Sequence, residues 1–158
     1  MTACHPLPTV AVTAFAAATA LAAGLGGPRT ALLTAAVLAG QLSVGWCNDY
    51  ADRGRDRVAG RADKPIVGGA VPGRVVGRAA AAAVAVCVPL SLLLGVRPGL
   101  VHLAAVASAW SYNLRLKFTR LSPLPYLVSF TLVPPVLVAA SLPGSPPVRW
   151  PVAAATGV

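Results

Sequence analysis

Glutamate is absent from this chain, and aspartate occurs only four times in 158 residues. Charged residues make up 11% of the sequence, where a water-soluble domain of this size carries about 25% to cover its surface. Residues 1–28, 30–48, 79–96, 98–114 and 121–148 hold no Asp, Glu, Lys or Arg at all. Those gaps exclude a soluble helical fold, whose helices present a polar face every turn or so. Cysteine is scarce and odd in number. Cys4, Cys47 and Cys87 are too far apart for a disulfide framework or a cysteine metal site, and they read as small apolar packing residues. No Lys or Arg precedes Arg29, so the first apolar stretch lacks the basic start of a cleaved leader, although Ala20-Leu21-Ala22 looks cleavable.

What is present is apolar: 56% hydrophobic residues and a mean hydropathy of +0.73. Each uncharged stretch approaches or exceeds the roughly 20 residues a helix needs to cross the hydrocarbon core. The expected fold is all-α, a polytopic transmembrane helix bundle with about five complete spans and a truncated sixth. The spans are placed near 7–26, 30–47, 79–96, 98–113 and 123–142, with the sixth opening near Trp150. Turn formers break them at Gly26-Gly27-Pro28, Arg97-Pro98-Gly99 and Pro143-Gly144-Ser145-Pro146-Pro147. Pro123, Pro125 and the pair Pro134-Pro135 are expected to kink the fifth span. Trp46, Trp110 and Trp150 read as interfacial anchors, and His102 as a packed or hydrogen-bonded interior histidine far from the polar loops.

The net charge of +9 reads as membrane topology and not as a nucleic-acid surface. Residues 48–78 carry Arg53, Arg55, Arg57, Arg61, Lys64, Arg74 and Arg78, and residues 113–122 carry Arg115, Lys117 and Arg120. Only Arg29, Arg97 and Arg149 lie at the other side. The positive-inside rule therefore puts both polar connections and the N-terminus in the cytoplasm. The wealth of Ala, Gly and Arg suggests a GC-rich genome and a bacterial plasma membrane.

All four acids fall between positions 49 and 63. Asp49, Asp52 and Asp56 are spaced i, i+3, i+7, so a helix continuing out of the second span aligns them on one face, with Asn48 four residues before Asp52. Clustered carboxylates repel one another and persist only where cations neutralise them. The neighbouring arginines are one source, and a hard divalent metal is another. Magnesium takes one or two carboxylates and completes its shell with water and phosphate oxygens, so this face suits a metal-bound diphosphate. A solvated loop of paired Asp and Arg has the same spacing, and the residues alone leave both readings open.

The run Asn48-Asp49-Tyr50-Ala51-Asp52-Arg53-Gly54-Arg55-Asp56 matches the NDxxDxxxD motif of the UbiA-type membrane prenyltransferases, at the end of the second span where that family carries it. Asp63-Lys64-Pro65-Ile66-Val67-Gly68-Gly69 resembles the basic-Pro-hydrophobic stretch that follows the motif. Tyr112-Asn113-Leu114-Arg115-Leu116-Lys117 looks like the tyrosine-and-lysine element, one residue longer than its YxxxK form. The resemblance implies the first part of a bundle of about nine helices with a site built in its core, and a single, incomplete membrane domain over residues 1–158. The family's second aspartate-rich motif has no counterpart here. This stretch alone is therefore expected to be inactive unless a second polypeptide completes the bundle.

The activity implied is transfer of a polyprenyl group from a magnesium-bound polyprenyl diphosphate to an aromatic or other lipophilic acceptor in the bilayer, as in quinone biosynthesis. By the same resemblance Asn48, Asp49, Asp52 and Asp56 bind Mg2+, while Arg61, Lys64, Arg115 and Lys117 contact the diphosphate. Asp49, Asp52 and Tyr112 serve the reaction, Tyr112 from the acceptor or carbocation side. Two other classes were weighed. A CDP-alcohol phosphatidyltransferase needs a DGxxAR element, but Tyr50 and Arg53 follow Asp49 and Asp52. A non-enzymatic membrane subunit would use its polar loop only to contact partners, and a transporter fragment would carry an ionisable residue near mid-membrane, where only His102 qualifies.

Overall fold

The computed structural model of the chain describes residues 6–128 and 133–142, and no strand occurs among them. Helix α1 spans Pro6–Ala22, α2 Gly27–Val58, α3 Gly73–Leu93 and α4 Val96–Leu114. A 3₁₀ turn at Leu116–Phe118 leads to a single-turn α5, Pro123–Tyr126, and then to α6, Val133–Ser141. Helix α2 is the spine: α1, α3 and α4 all pack on it, and α6 closes against α1 and α4.

Small side chains let these helices approach closely. One core joins α1, α2 and α6 through Ala16, Ala20, Leu33, Ala36, Val37, Leu137 and Val138; a second joins α2, α3 and α4 through Ala39, Cys87 and Val106. Interfaces of Ala, Gly and Ser are the usual means by which membrane helices reach van der Waals contact. At Gly99 an added Cβ would lie 2.7 Å from the Ser91 carbonyl oxygen, and at Gly40 3.0 Å from Val106 Cγ2. The Ser91 oxygen is backbone and cannot swing away. Gly99→Ala is therefore expected to destabilise the protein by about 1–3 kcal/mol. A thermal midpoint in detergent equal to that of the parent would contradict the close approach of α3 and α4.

Among the described residues two helices, Gly27–Val58 and Gly73–Leu93, are long and apolar enough to cross a membrane. Only 39% and 22% of their most apolar parts is buried inside the protein, so the rest of the chain leaves most of each uncovered. Length and composition of the described residues do not confirm the expected count of five or six spans. The 17 residues of α1 rise only about 25 Å at 1.5 Å per residue. Helix α4 is diluted by Arg97, His102, Ser108, Ser111 and Asn113. The fifth stretch is divided between α5 and α6, and residues 129–132, with any kink there, lie outside the described residues. So do Cys4, His5, the break at 143–147, Trp150 and the truncated sixth stretch.

Two expected breaks are displaced by one to three residues. Pro28 and Pro98 sit in the first turns of α2 and α4, where a proline's missing N–H costs nothing. The chain turns before them, at Gly24 (φ +74°) and Gly95 (φ +121°), conformations that favour glycine. At the α3–α4 turn Arg29 donates from Nη2 to the Leu94 carbonyl oxygen (3.1 Å), satisfying an acceptor left open at a helix end. His102 is interior as expected: Nδ1 is 2.8 Å from Ser91 Oγ, beside the buried Cys87 thiol.

Candidate functional site

Helix α2 does not stop at the last apolar residue. It runs through Asn48–Asp56 to Val58, so the three aspartates lie on a continuous helical face. This is the electrostatically unfavourable end for them, because a helix C-terminus carries partial negative charge. Arg55 and Arg57 in the last turn offset part of that charge, and two lysines offset more.

After Val58 the chain folds back. Arg61 N–H donates to the Asp56 carbonyl oxygen (2.8 Å), and Gly68 N–H donates to that of Lys64 (2.8 Å). The return carries Lys64 to the start of the acidic face, where Nζ lies 2.9 Å from Asp49 Oδ1. From the other connection, the 3₁₀ turn after α4 places Lys117 Nζ 2.5 Å from Asp52 Oδ1. The Asp49 side chain is only 4% exposed and Lys64 14%; Lys117 is 9% exposed and Asp52 21%. These are the only two lysines in the chain, against eleven arginines. Each comes from a different polar connection, and each meets a different aspartate of the motif.

Other contacts fix the frame. Asn113, buried in the last turn of α4, donates from Nδ2 to the Val44 carbonyl oxygen (2.8 Å) and ties α4 to α2 four residues before Lys117. Trp110 Nε1 donates to Ser43 Oγ (3.2 Å). Trp110, expected as an interfacial anchor, is also an inter-helix link, because the buried Ser43 hydroxyl offers its indole N–H a partner inside the bundle. Arg55 stacks on the Phe118 ring, 3.3 Å from its centroid, and Arg53 lies 4.0 Å over Tyr50, whose ring packs on Gly77 of α3. Asn113, Phe118 and Tyr50 were not read as site residues. Tyr50 and Asn113 stand at unspecified positions within the motif runs, and Phe118 directly follows one.

The remaining expected residues are distributed unequally. Asn48 and Asp56 are half-buried on α2, and Tyr112 is half-buried beside Asn113. Arg115 is exposed at the end of α4. Arg61 turns outward and forks onto Asp63 at 3.0 and 3.1 Å. That hydrogen bonding raises the Arg61 guanidinium above its ordinary pKa and holds the Asp63 carboxyl below its own; both groups are exposed.

No group of three His, Cys, Asp or Glu side chains able to hold a metal ion occurs among the described residues. Helix geometry explains this: Asp49 and Asp56 are separated by about 10 Å of rise, whereas magnesium–oxygen bonds are about 2.1 Å long. Asp49 and Asp52 are one turn apart, however, and Asn48, Asp49, Asp52 and Asp56 offer only hard oxygen donors. This set fits a magnesium ion held by one or two carboxylates and completed by oxygens of a ligand.

No curated protein and no solved structure matches the chain. The model of the UbiA prenyltransferase family matches residues 7–158, nearly its whole length. With its helical membrane fold and the acidic motif at the end of α2, the chain belongs to the UbiA prenyltransferase family.

Proposed function

We propose that the protein moves a polyprenyl group from a polyprenyl diphosphate to an aromatic or other lipophilic acceptor, at the shared end of α2 and α4. Family membership supports a prenyltransferase activity in general. The observation that carries the specific reading is the convergence of Lys64 and Lys117 on Asp49 and Asp52. It assembles, at one helix end, the two classes of group a metal diphosphate requires.

Asp49 and Asp52 hold magnesium, with Asn48 and Asp56 flanking them. Lys64 and Lys117 neutralise diphosphate oxygens, and Arg61 and Arg115 are outer cations for the same group. Magnesium, when bound, offsets charge developing on the departing diphosphate. The allylic carbon–oxygen bond breaks with its electron pair leaving on the diphosphate. The acceptor supplies the pair for the new bond and then loses a proton. Tyr112, in the last turn of α4, lies toward the acceptor and stabilises the cation through its ring. Ten of the thirteen basic residues belong to the connections at this end of the bundle, which by the positive-inside rule supports a cytoplasmic site.

The full-length protein in liposomes should release pyrophosphate from a polyprenyl diphosphate only when both magnesium and a lipophilic acceptor are supplied. Equal release in excess chelator would sink the metal assignment.

A further inference from the structure

The two lysines occupy the carboxylates a metal would need. Asp49 and Asp52 cannot give the same lone pairs to an ammonium and to a divalent cation at full strength, and neither pair is loosely solvated. Neither lysine sits within one of the long helices: Lys64 lies in the folded-back connection and Lys117 in a three-residue turn. An ammonium on a four-carbon stem can change partners by rotating its side chain, whereas a stacked guanidinium such as Arg55 on Phe118 is fixed in place.

We infer that Lys64 and Lys117 are counter-ions that keep the acidic face closed to a divalent cation until a diphosphate draws them away. The inference rests on the function proposed above and adds a coupling to it. Without diphosphate, a metal must displace both ammonium groups and leave them uncompensated in a partly buried site. With diphosphate present, each lysine exchanges a carboxylate oxygen for a phosphate oxygen, and Asp49 and Asp52 become free for the metal. Metal and diphosphate thereby raise each other's affinity by the same factor. Both lysines are positioning residues here, acting on the metal through the aspartates.

The test is metal binding, read without turnover. Mn2+ affinity is measured by electron paramagnetic resonance on the full-length protein in nanodiscs, without diphosphate. Lys64→Gln and Lys117→Gln should each tighten Mn2+ binding by about tenfold. Adding Asp49→Asn to the first variant, or Asp52→Asn to the second, should remove the gain. Lys64→Arg and Lys117→Arg, which keep the charge, should bind Mn2+ as weakly as the parent. Unchanged or weaker Mn2+ binding in the glutamine variants would overturn the inference.

A second measurement is read on the parent protein. Reductive methylation with isotopically labelled formaldehyde keeps the charge and marks Lys64 and Lys117 for nuclear magnetic resonance, each resonance being assigned by its loss in the corresponding glutamine variant. Magnesium alone should leave both lysine resonances in place. Magnesium with a non-ionisable prenyl thiolodiphosphate should move both. Equal displacement by magnesium alone would overturn the inference. Failure of the function itself would show differently, as absence of any saturable binding of the thiolodiphosphate.

Discussion

Asp52→Asn is expected to lower magnesium-dependent release of pyrophosphate by roughly a thousandfold, the scale on which removing one essential charge-stabilising contact acts on a transition state. The substitution keeps the shape of the side chain and its place on α2, so the loss reports charge and not packing. It removes the carboxylate that Lys117 holds at 2.5 Å. Asp63→Asn is the control. Asp63 is 63% exposed and pairs only outward, with Arg61, so its loss should leave the rate within about twofold of the parent. The comparison separates a site from a solvated loop of paired charges. If the two substitutions cost the same, the acidic face has no special role.

Lys64→Ala is expected to cost roughly 3 kcal/mol of stability, because it leaves Asp49, 4% exposed, without its ammonium partner. The measurement is a denaturant titration of the detergent-solubilised protein, with far-ultraviolet circular dichroism as the readout. Asp49→Asn alone should also destabilise, and the double variant should recover much of the loss, since a neutral pair leaves no buried charge unmatched. A loss below about 1 kcal/mol for Lys64→Ala would mean that the pair behaves as an exposed one. The same variant should regain part of its stability when Mn2+ is added, because a ligand that binds only the folded state shifts the unfolding equilibrium.

The acidic face was legible because its information is local. The spacing of Asp49, Asp52 and Asp56 carries its own geometry once the helix is assumed to continue, and α2 does continue to Val58. The common end of the two basic connections was legible for a similar reason, since charge counts between apolar stretches need no tertiary knowledge. The partners of the acids were not. Lys64 reaches Asp49 across fifteen positions only because residues 59–72 fold back, and Lys117 reaches Asp52 across sixty-five. Arg61 illustrates the same limit: a neighbour two residues away, Asp63, competes successfully for its guanidinium. The link from Trp110 to Ser43 was not legible either, since that hydroxyl belongs to another helix. The displaced turns at Gly24 and Gly95 show that a proline after a glycine marks the start of the next helix as readily as the end of the last.

The two ion pairs differ in tether length. Lys117 follows the anchored Asn113 by four residues, while Lys64 lies in the middle of the connection spanning residues 59–72. A shorter tether gives a higher effective concentration of the ammonium at its carboxylate. On the coupling inferred above, Lys117 is expected to return to Asp52 sooner than Lys64 to Asp49 once a bound anion departs, so that the face would reclose from the end of α4 first.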